Sequence, residues 1–510
     1  MKMVNKPRKS LVAVALASVV GTAALLSAPA QAANIAQDGI GEVLLFPYYT
    51  VKNGWDSYVH LTNTSTTDTV LAKIRFREAK NSREVRDFNV ILSPNDQWTA
   101  AVTQDGEGAK LVTFDTSCTS PILPLVDAAA GKREIGFTSI GYDGSDANFN
   151  YDNGGRGIER TQEGYLEVIV MGVSDAATTN SANVIEFNAK HVNGVPRNCA
   201  TVDASFLVGD DTTELSTLGN FTTFDAPENV LKGFSTLINV ASGQSVGVEP
   251  TVVANFRSVT PIIYQPGSLF PSLATGDLNG DFTFFDDAAD AVVTDVAPFS
   301  EDGVSMLLQR RFVVNEFSTA AAANVKTDWV VTFPTKYNYV DDGGVGSVVG
   351  TPVAPFSEWF AKAPTVLTNN LGKSCVSIQL DQFGREEQVA QSTSSTTFSP
   401  RPAGPSGAQL CNEVNVLTFN GSNVLGSSVQ AFDISTTAVG QAGFGRLRLA
   451  PAVVTAGAEG DLTVGNTTYL GLPVIGFALT TRNNAAEAGN NRNYSTAEPH
   501  SYERAVPLVP

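Results

Sequence analysis

The sequence predicts a mainly β protein: antiparallel β-sandwich (immunoglobulin-like) domains with long loops and a few short helices. Three observations predict it. Apolar residues recur at every second position in short runs. Clusters of Pro, Gly, Asn and Asp separate those runs. Helical spacing never extends beyond a turn or two.

The elements follow in order. Val59 and Leu61 alternate before a polar turn at residues 63–68. In the next run Val70, Ala72, Ile74 and Phe76 share one face, which predicts a dry side; Lys73, Arg75 and Arg77 share the other, which predicts a wet side. Phe88, Val90 and Leu92 repeat the pattern up to Pro94-Asn95-Asp96, where proline cannot donate to a ladder. Trp98, Ala100 and Val102 resume it. Residues 41–104 therefore read as an immunoglobulin-like sandwich without the Cys…Trp…Cys hallmark. Downstream, Leu166, Val168 and Val170 alternate, and residues 184–187 read as a further strand. Residues 329–333 are nearly all apolar or β-branched, which predicts burial on both faces. Val376, Ile378 and Leu380 alternate after Cys375, and Asn415, Leu417 and Phe419 after Cys411. Residues 390–409, rich in Ser, Thr, Pro and Gly, read as an exposed loop. Asp225-Ala226-Pro227-Glu228 carries the signals of a short helix toward Lys232, and residues 357–362 of another single turn.

Residues 1–32 form an export signal. Lys2, Lys6, Arg8 and Lys9 are its basic head, residues 11–26 its apolar body, and Ala30-Gln31-Ala32 its small-residue exit. The apolar run is short for a membrane span, which needs roughly 20 residues. Cleavage leaves Ala33 first and no transmembrane segment. Loss of four basic residues takes the net charge from −18 to −22. Such acidity argues against nucleic acid as a partner and favours divalent cations as counter-charges. The expected division places an N-terminal sandwich at 33–215 and a second β-rich region at 216–510, with the Gly/Asp/Thr-rich residues 208–220 between them.

Four cysteines in an exported chain predict disulfides. Cys118–Cys199 and Cys375–Cys411 are favoured over the other pairings because each stays within one half of the chain. Their spacings fit no zinc template.

Chemistry is sparse. The chain has three histidines, His60, His191 and His500. None lies in a recognisable catalytic pattern, and each reads as structural. His191 falls in a strand leading to the Asn193-Gly194 turn, and His500 near a loose C-terminus. No G-x-S-x-G is present, and the 51 acidic residues single out no glycosidase pair. The chain reads as a non-enzyme with no organic cofactor. One metal candidate stands out: Asp277, Asn279 and Asp281, followed by Asp286 and Asp287, place oxygen ligands at the alternating positions that Ca2+ favours. Phe282 and Ala288 occupy the positions where a helix–loop–helix calcium site needs Gly and Glu, so the segment reads as an acidic β-loop.

Five segments carry a resemblance: residues 41–49 (GEVLLFPYY), 88–94 (FNVILSP), 190–196 (KHVNGVP), 329–336 (WVVTFPTK) and 413–419 (EVNVLTF). With them the chain resembles the secreted surface-layer (S-layer) proteins of marine gammaproteobacteria. The resemblance implies a structural protein at the outer surface of a Gram-negative cell. Such a protein assembles laterally into a two-dimensional lattice and also occurs in biofilm matrix. Its partners would be further copies of itself and outer-membrane lipopolysaccharide. At −22 per subunit, assembly is expected to require divalent cations such as Ca2+. The competing reading is a secreted adhesin or carbohydrate-binding surface protein, with Tyr48, Tyr49, Trp55, Trp98 and Trp359 as aromatic platforms.

Overall fold

A computed structural model describes residues 32–146, 151–176, 179–286, 291–340, 354–356, 372–391, 408–449, 460–464, 467–483 and 493–504. The fold is mainly β and mostly antiparallel. The run Thr69–Glu78 is a strand at the heart of the first sandwich. Val70, Ala72, Ile74 and Phe76 point into the core, as period-two spacing requires. Ile74 stands opposite Phe88 on one neighbour and Val168 on the other. Each such side chain withdrawn from water contributes roughly 1.5–3 kcal/mol.

The sheet around it has seven strands, in the order Asn34–Ile35, Thr251–Ala254, Val43–Thr50, Glu163–Ser174, Thr69–Glu78, Glu84–Leu92 and Cys118–Ser120. The facing sheet runs Leu125–Asp127, Lys132–Gly136, Gly108–Thr113, Gln97–Asp105, Trp55–Asn63, Leu231–Asn239 and Gln244–Val248, and Ile40–Gly41 also pairs with Leu231–Asn239. Strands between residues 231 and 254 thus complete the first sandwich, so its strands run past the boundary expected at 215. Residues 208–220 connect elements on the same sandwich, because Leu215 and Phe221 pack against Ile263, Val202 and Phe206.

A second pair of sheets follows. One runs Val389–Gln391, Val376–Gly384, Ala442–Arg448, Phe312–Ser318 and Ser501–Glu503, with Ala408–Leu410 also on Val376–Gly384. The other runs Gln430–Ile434, Val414–Phe419, Val325–Thr332, Ile475–Arg482 and Tyr494–Pro499. Trp329 to Phe333 are fully buried, as their unbroken apolar run predicts. Trp329 and Val331 face the sheet-to-sheet core of the second sandwich, whereas Val330 faces Tyr48, Tyr165 and Leu237 of the first. The described residues accordingly fall in one compact unit.

Both disulfides form as paired above. Cys118–Cys199 ties a strand to the helix Cys199–Phe206, and Cys375–Cys411 joins the ends of two paired strands. Two local expectations fail. Residues 184–187 open the helix Val184–Ala189, not a strand. Ile185 and Ala189, one turn apart, are both buried against Val202 and Phe206, so tertiary contact selects the helix over β-branched propensity. The helix expected from Asp225 is absent: Asp225 bridges to Val173 in extended pairing, and Leu231 and Lys232 already belong to a strand. The turn expected at residues 357–362 lies outside the described residues. No helix among the described residues is long and apolar enough to cross a membrane.

Candidate functional site

The predicted wet face of Thr69–Glu78 is not wet. Lys73, Arg75 and Arg77 are 1%, 1% and 8% exposed. Lys73 Nζ donates to Asp87 Oδ2 at 2.9 Å and to the carbonyls of Gln265 and Ser268 at 3.0 Å. Arg75 Nε donates to Glu84 Oε2 at 2.6 Å, and its Nη1 to the Pro271 carbonyl at 2.8 Å. Arg77 Nε stands 2.8 Å from Glu167 Oε2 on the adjacent strand. Its guanidinium also lies over the ring of Tyr337, from the second half of the chain. Residues 264–271 supply carbonyl acceptors to Lys73 and Arg75, and the Ser82 carbonyl accepts from Arg77, which lets three cations stay buried.

The layer continues. Arg160 Nη2 is 2.7 Å from Asp152 Oδ2 and 2.9 Å from Glu78 Oε1. Burial alone would lower the Arg160 pKa, but Glu78 and Asp152 outweigh it and raise it. Burial works to raise Asp152, yet Arg160 holds it below the usual carboxylate range. Burial lowers the Lys73 pKa despite Asp87. Burial and the neighbouring Asp87 charge push Glu84 up to about 7. Glu413, buried near Lys336 and Glu78, is pushed by burial to about 8. These groups form an ionic seam where the halves of the chain meet.

Glu163 fastens the seam to the far half. Its Oε2 accepts from Tyr48 Oη at 2.8 Å and Ser427 Oγ at 2.7 Å, and its Oε1 accepts from the Ser428 amide at 2.8 Å. Backbone bonds run alongside: the Glu413 amide donates to the Lys80 carbonyl and the Val414 amide to that of Ala79. A signal for this seam exists in the sequence. Glu167 sits inside the apolar run Tyr165 to Val170, and a lone charge in such a run needs a buried partner.

Among the described residues, the calcium candidates Asp277, Asn279, Asp281 and Asp286 form no converging group. Asp277 Oδ2 accepts from the Ser258 amide and hydroxyl at 2.8 and 2.7 Å. Asn279 takes a left-handed turn conformation (φ 52°). Asp281 and Asp286 lie on opposite faces of Gly280–Asp286, Asp281 outward and Asp286 inward with Phe282 and Phe284. Asp287 lies outside the described residues. No group of three metal-ligating side chains converges among the described residues. The reason is the strand itself: an odd separation in extended backbone sends side chains to opposite faces.

The histidines occupy three different settings. His60 is half-buried on the outer face of Trp55–Asn63, beside Phe234. His500 is held, not loose: its ring packs on Trp329, its Nε2 lies 2.9 Å from the Val330 carbonyl, and burial pushes its pKa down to about 4. His191 precedes the Asn193-Gly194 turn of a small hairpin, and its Nδ1 lies 3.4 Å from Asp96 Oδ2. Sequence reasoning missed this neighbourhood. Ser117 Oγ donates to Asp115 Oδ1 at 2.7 Å and approaches Asp96 Oδ1 at 3.5 Å. A shallow pocket lined by Trp98, Asp115, Ser117, Arg133 and Cys199 adjoins it. The order is unlike a hydrolase triad. Carboxylates, not the imidazole, stand next to the serine hydroxyl. Of the named aromatic platforms, Tyr48, Tyr49, Trp55 and Trp98 are core residues, and Trp359 lies outside the described residues.

No protein-family model matches the chain, and neither the curated proteins nor the solved structures contain a match to it.

Proposed function

We propose that this chain is an exported structural protein of the outer cell surface. In this reading its folded copies associate laterally into a two-dimensional S-layer lattice and contribute to biofilm matrix. The observation that supports this most is the seam. Two sandwiches joined by a shared apolar layer, by Ser427 and Ser428 on Glu163, and by Arg77 over Tyr337 make one stiff block rather than two hinged domains. A lattice needs a subunit whose faces keep a fixed relation, because heterologous contacts extend into a sheet only if each repeat has the same geometry. The resemblance in residues 41–49, 88–94, 190–196, 329–336 and 413–419 points the same way. Divalent cations, Ca2+ or Mg2+, would act between copies, offsetting the repulsion of acidic surfaces. Lipopolysaccharide is the surface partner in this reading. The test is negative-stain imaging of purified protein beginning at Ala33, with and without Ca2+. Periodic sheets support the proposal, and dispersed particles under all conditions reject it.

A further inference from the structure

The strands Gly280–Asp286 and Ala291–Ala297 form a two-stranded sheet outside both sandwiches. On the far side of Gly280–Asp286 stands Ala33. Its amide donates to the Asp281 carbonyl at 2.8 Å, and its carbonyl accepts from the Thr283 amide at 2.7 Å. Backbone groups alternate in direction along a strand, so Asp281 and Thr283 turn theirs away from Ala291–Ala297. Their partners in register, Val296 and Thr294, and Val292 opposite Phe285, then turn theirs toward the outer edge. The Thr283 and Thr294 hydroxyls, 2.7 Å apart, fit such a non-hydrogen-bonded pair, in which side chains lie closest. Among the described residues no strand pairs with that outer edge. The Val296 amide donates to the neighbouring Asp295 carboxylate instead. The side chains of Val292, Thr294 and Val296 are all exposed, Val292 to 67%.

An open strand edge is a template for another strand. The edge strands of the two sandwiches are two to six residues long. This one is seven, and no proline, lysine or bulge blunts it. Its residue order selects the partner. Ala291-Val292-Val293-Thr294-Asp295-Val296-Ala297 reads nearly the same backwards about Thr294. Laid antiparallel on the same strand of another copy, Thr294 faces Thr294, Val292 faces Val296 and Ala291 faces Ala297. This register pairs the residues whose backbone groups point outward, so each of these Thr and Val pairs exchanges hydrogen bonds in both directions. The outer face becomes four strands wide, with Thr283 and Thr294 of each copy across its middle and Val292 of one copy against Val296 of the other. The one mismatch, Val293 against Asp295, lies on the inner face, where Tyr469 Oη donates to Asp295 Oδ2 at 3.1 Å within its own copy. Moving the axis to Asp295 sets two carboxylates face to face, and moving it to Val293 sets Val against Thr. We infer that the Ala291–Ala297 edge docks the same edge of a second copy of this chain, antiparallel about Thr294. The contact goes beyond the lattice reading, because a pair closed by a twofold axis needs neither a sheet nor a cation.

The test uses protein beginning at Ala33, in EDTA and about 0.15 M salt, where repulsion between acidic copies is screened beyond about 8 Å. A contact through one strand edge is of the weak class, so sedimentation velocity is expected to show dimers forming at roughly 10–100 μM. Thr294→Pro removes the central outward amide and leaves the bonds to Gly280–Asp286 in place. It is expected to fold natively by circular dichroism and thermal melting, and to raise the dissociation constant about tenfold or more. A second measurement reads the register and does not depend on loss. The chain has no free cysteine, so an introduced thiol stands alone. Positions 292 and 296 of opposite copies would have Cα atoms about 5.5 Å apart, within disulfide reach, whereas position 292 lies about 14 Å from its own counterpart. Mild oxidation of Val292→Cys mixed with Val296→Cys is therefore expected to give a covalent dimer, and of either variant alone to give none. Wild type that stays monomeric to about 1 mM overturns the inference, whatever imaging in Ca2+ shows of a lattice. If dimers form but natively folded Thr294→Pro pairs as tightly as wild type, or the mixed cysteines couple no better than either variant alone, another face joins the copies and this contact is overturned. Should Thr294→Pro fail to fold, the mixed cysteines decide. If the pair forms as described and no periodic sheet appears in Ca2+, the contact stands and the lattice reading falls.

Discussion

Ser428 donates both its amide and its hydroxyl to Glu163 Oε1, at 2.8 and 2.5 Å, across 265 positions of sequence. Glu163 opens a central strand of the first sandwich, and Ser428 precedes an edge strand of the second. Together with Val414 on Ala79 and Thr332 Oγ1 on the Pro47 carbonyl, this contact makes the halves mechanically one. Unfolding by denaturant should therefore be a single transition, with fluorescence and circular dichroism coinciding. Two separated transitions would break the single-block description.

Arg160 is the residue whose loss should cost most in the seam. Arg160→Ala leaves Asp152 and Glu78 buried beside one another without their cation. Removing one partner of a buried pair costs about 3–5 kcal/mol. Arg160→Met, with Asp152→Asn and Glu78→Gln made together, should recover part of that loss. Chemical denaturation of the wild type and the two variants checks the order.

Stability should depend on pH through Glu413. A glutamate with an ordinary pKa of 4.5 in the unfolded chain holds its proton to about 8 when folded. The folded state binds more protons between those values, so the contribution is full below 4.5 and is lost as pH rises through 8. Glu42, pushed by burial to about 8, has the same sign. Glu413→Gln, neutral at every pH, should reduce the loss between pH 5 and pH 9 by on the order of 1 kcal/mol or more. An unchanged pH slope in the variant would assign the titration elsewhere.

The bridges should differ modestly. Cys118–Cys199 spans 81 residues and Cys375–Cys411 spans 36. By loop closure the first contributes about 4.5 kcal/mol and the second about 3.8 kcal/mol. Paired serine variants, Cys118→Ser/Cys199→Ser and Cys375→Ser/Cys411→Ser, measured by denaturation midpoints, should show that order.

Much of this fold is legible in the sequence, and the illegible parts share a cause. Period-two spacing gives Thr69–Glu78 and its neighbours because each strand's inner face reports the core locally. The same spacing misreads Lys73, Arg75 and Arg77 as solvated, because what covers them, residues 264–271 and Tyr337, comes from nearly 200 residues or more away. The helix at Ile185 and Ala189 is likewise selected by Val202 and Phe206, not by its own propensity. The carboxylates of residues 277–287 cluster in sequence, but strand geometry turns Asp281 and Asp286 apart.

Cations acting between copies should leave the subunit itself untouched. Chelation should disperse assembled sheets without shifting the melting temperature of the dispersed protein. A lowered melting temperature would place an ion inside the fold.

The most direct measurement is electron microscopy of the purified protein, processed to Ala33, concentrated in millimolar Ca2+. The account predicts flat periodic arrays whose diffraction repeats at subunit dimensions. Folded protein that stays monodisperse at every concentration and cation level tried would contradict it.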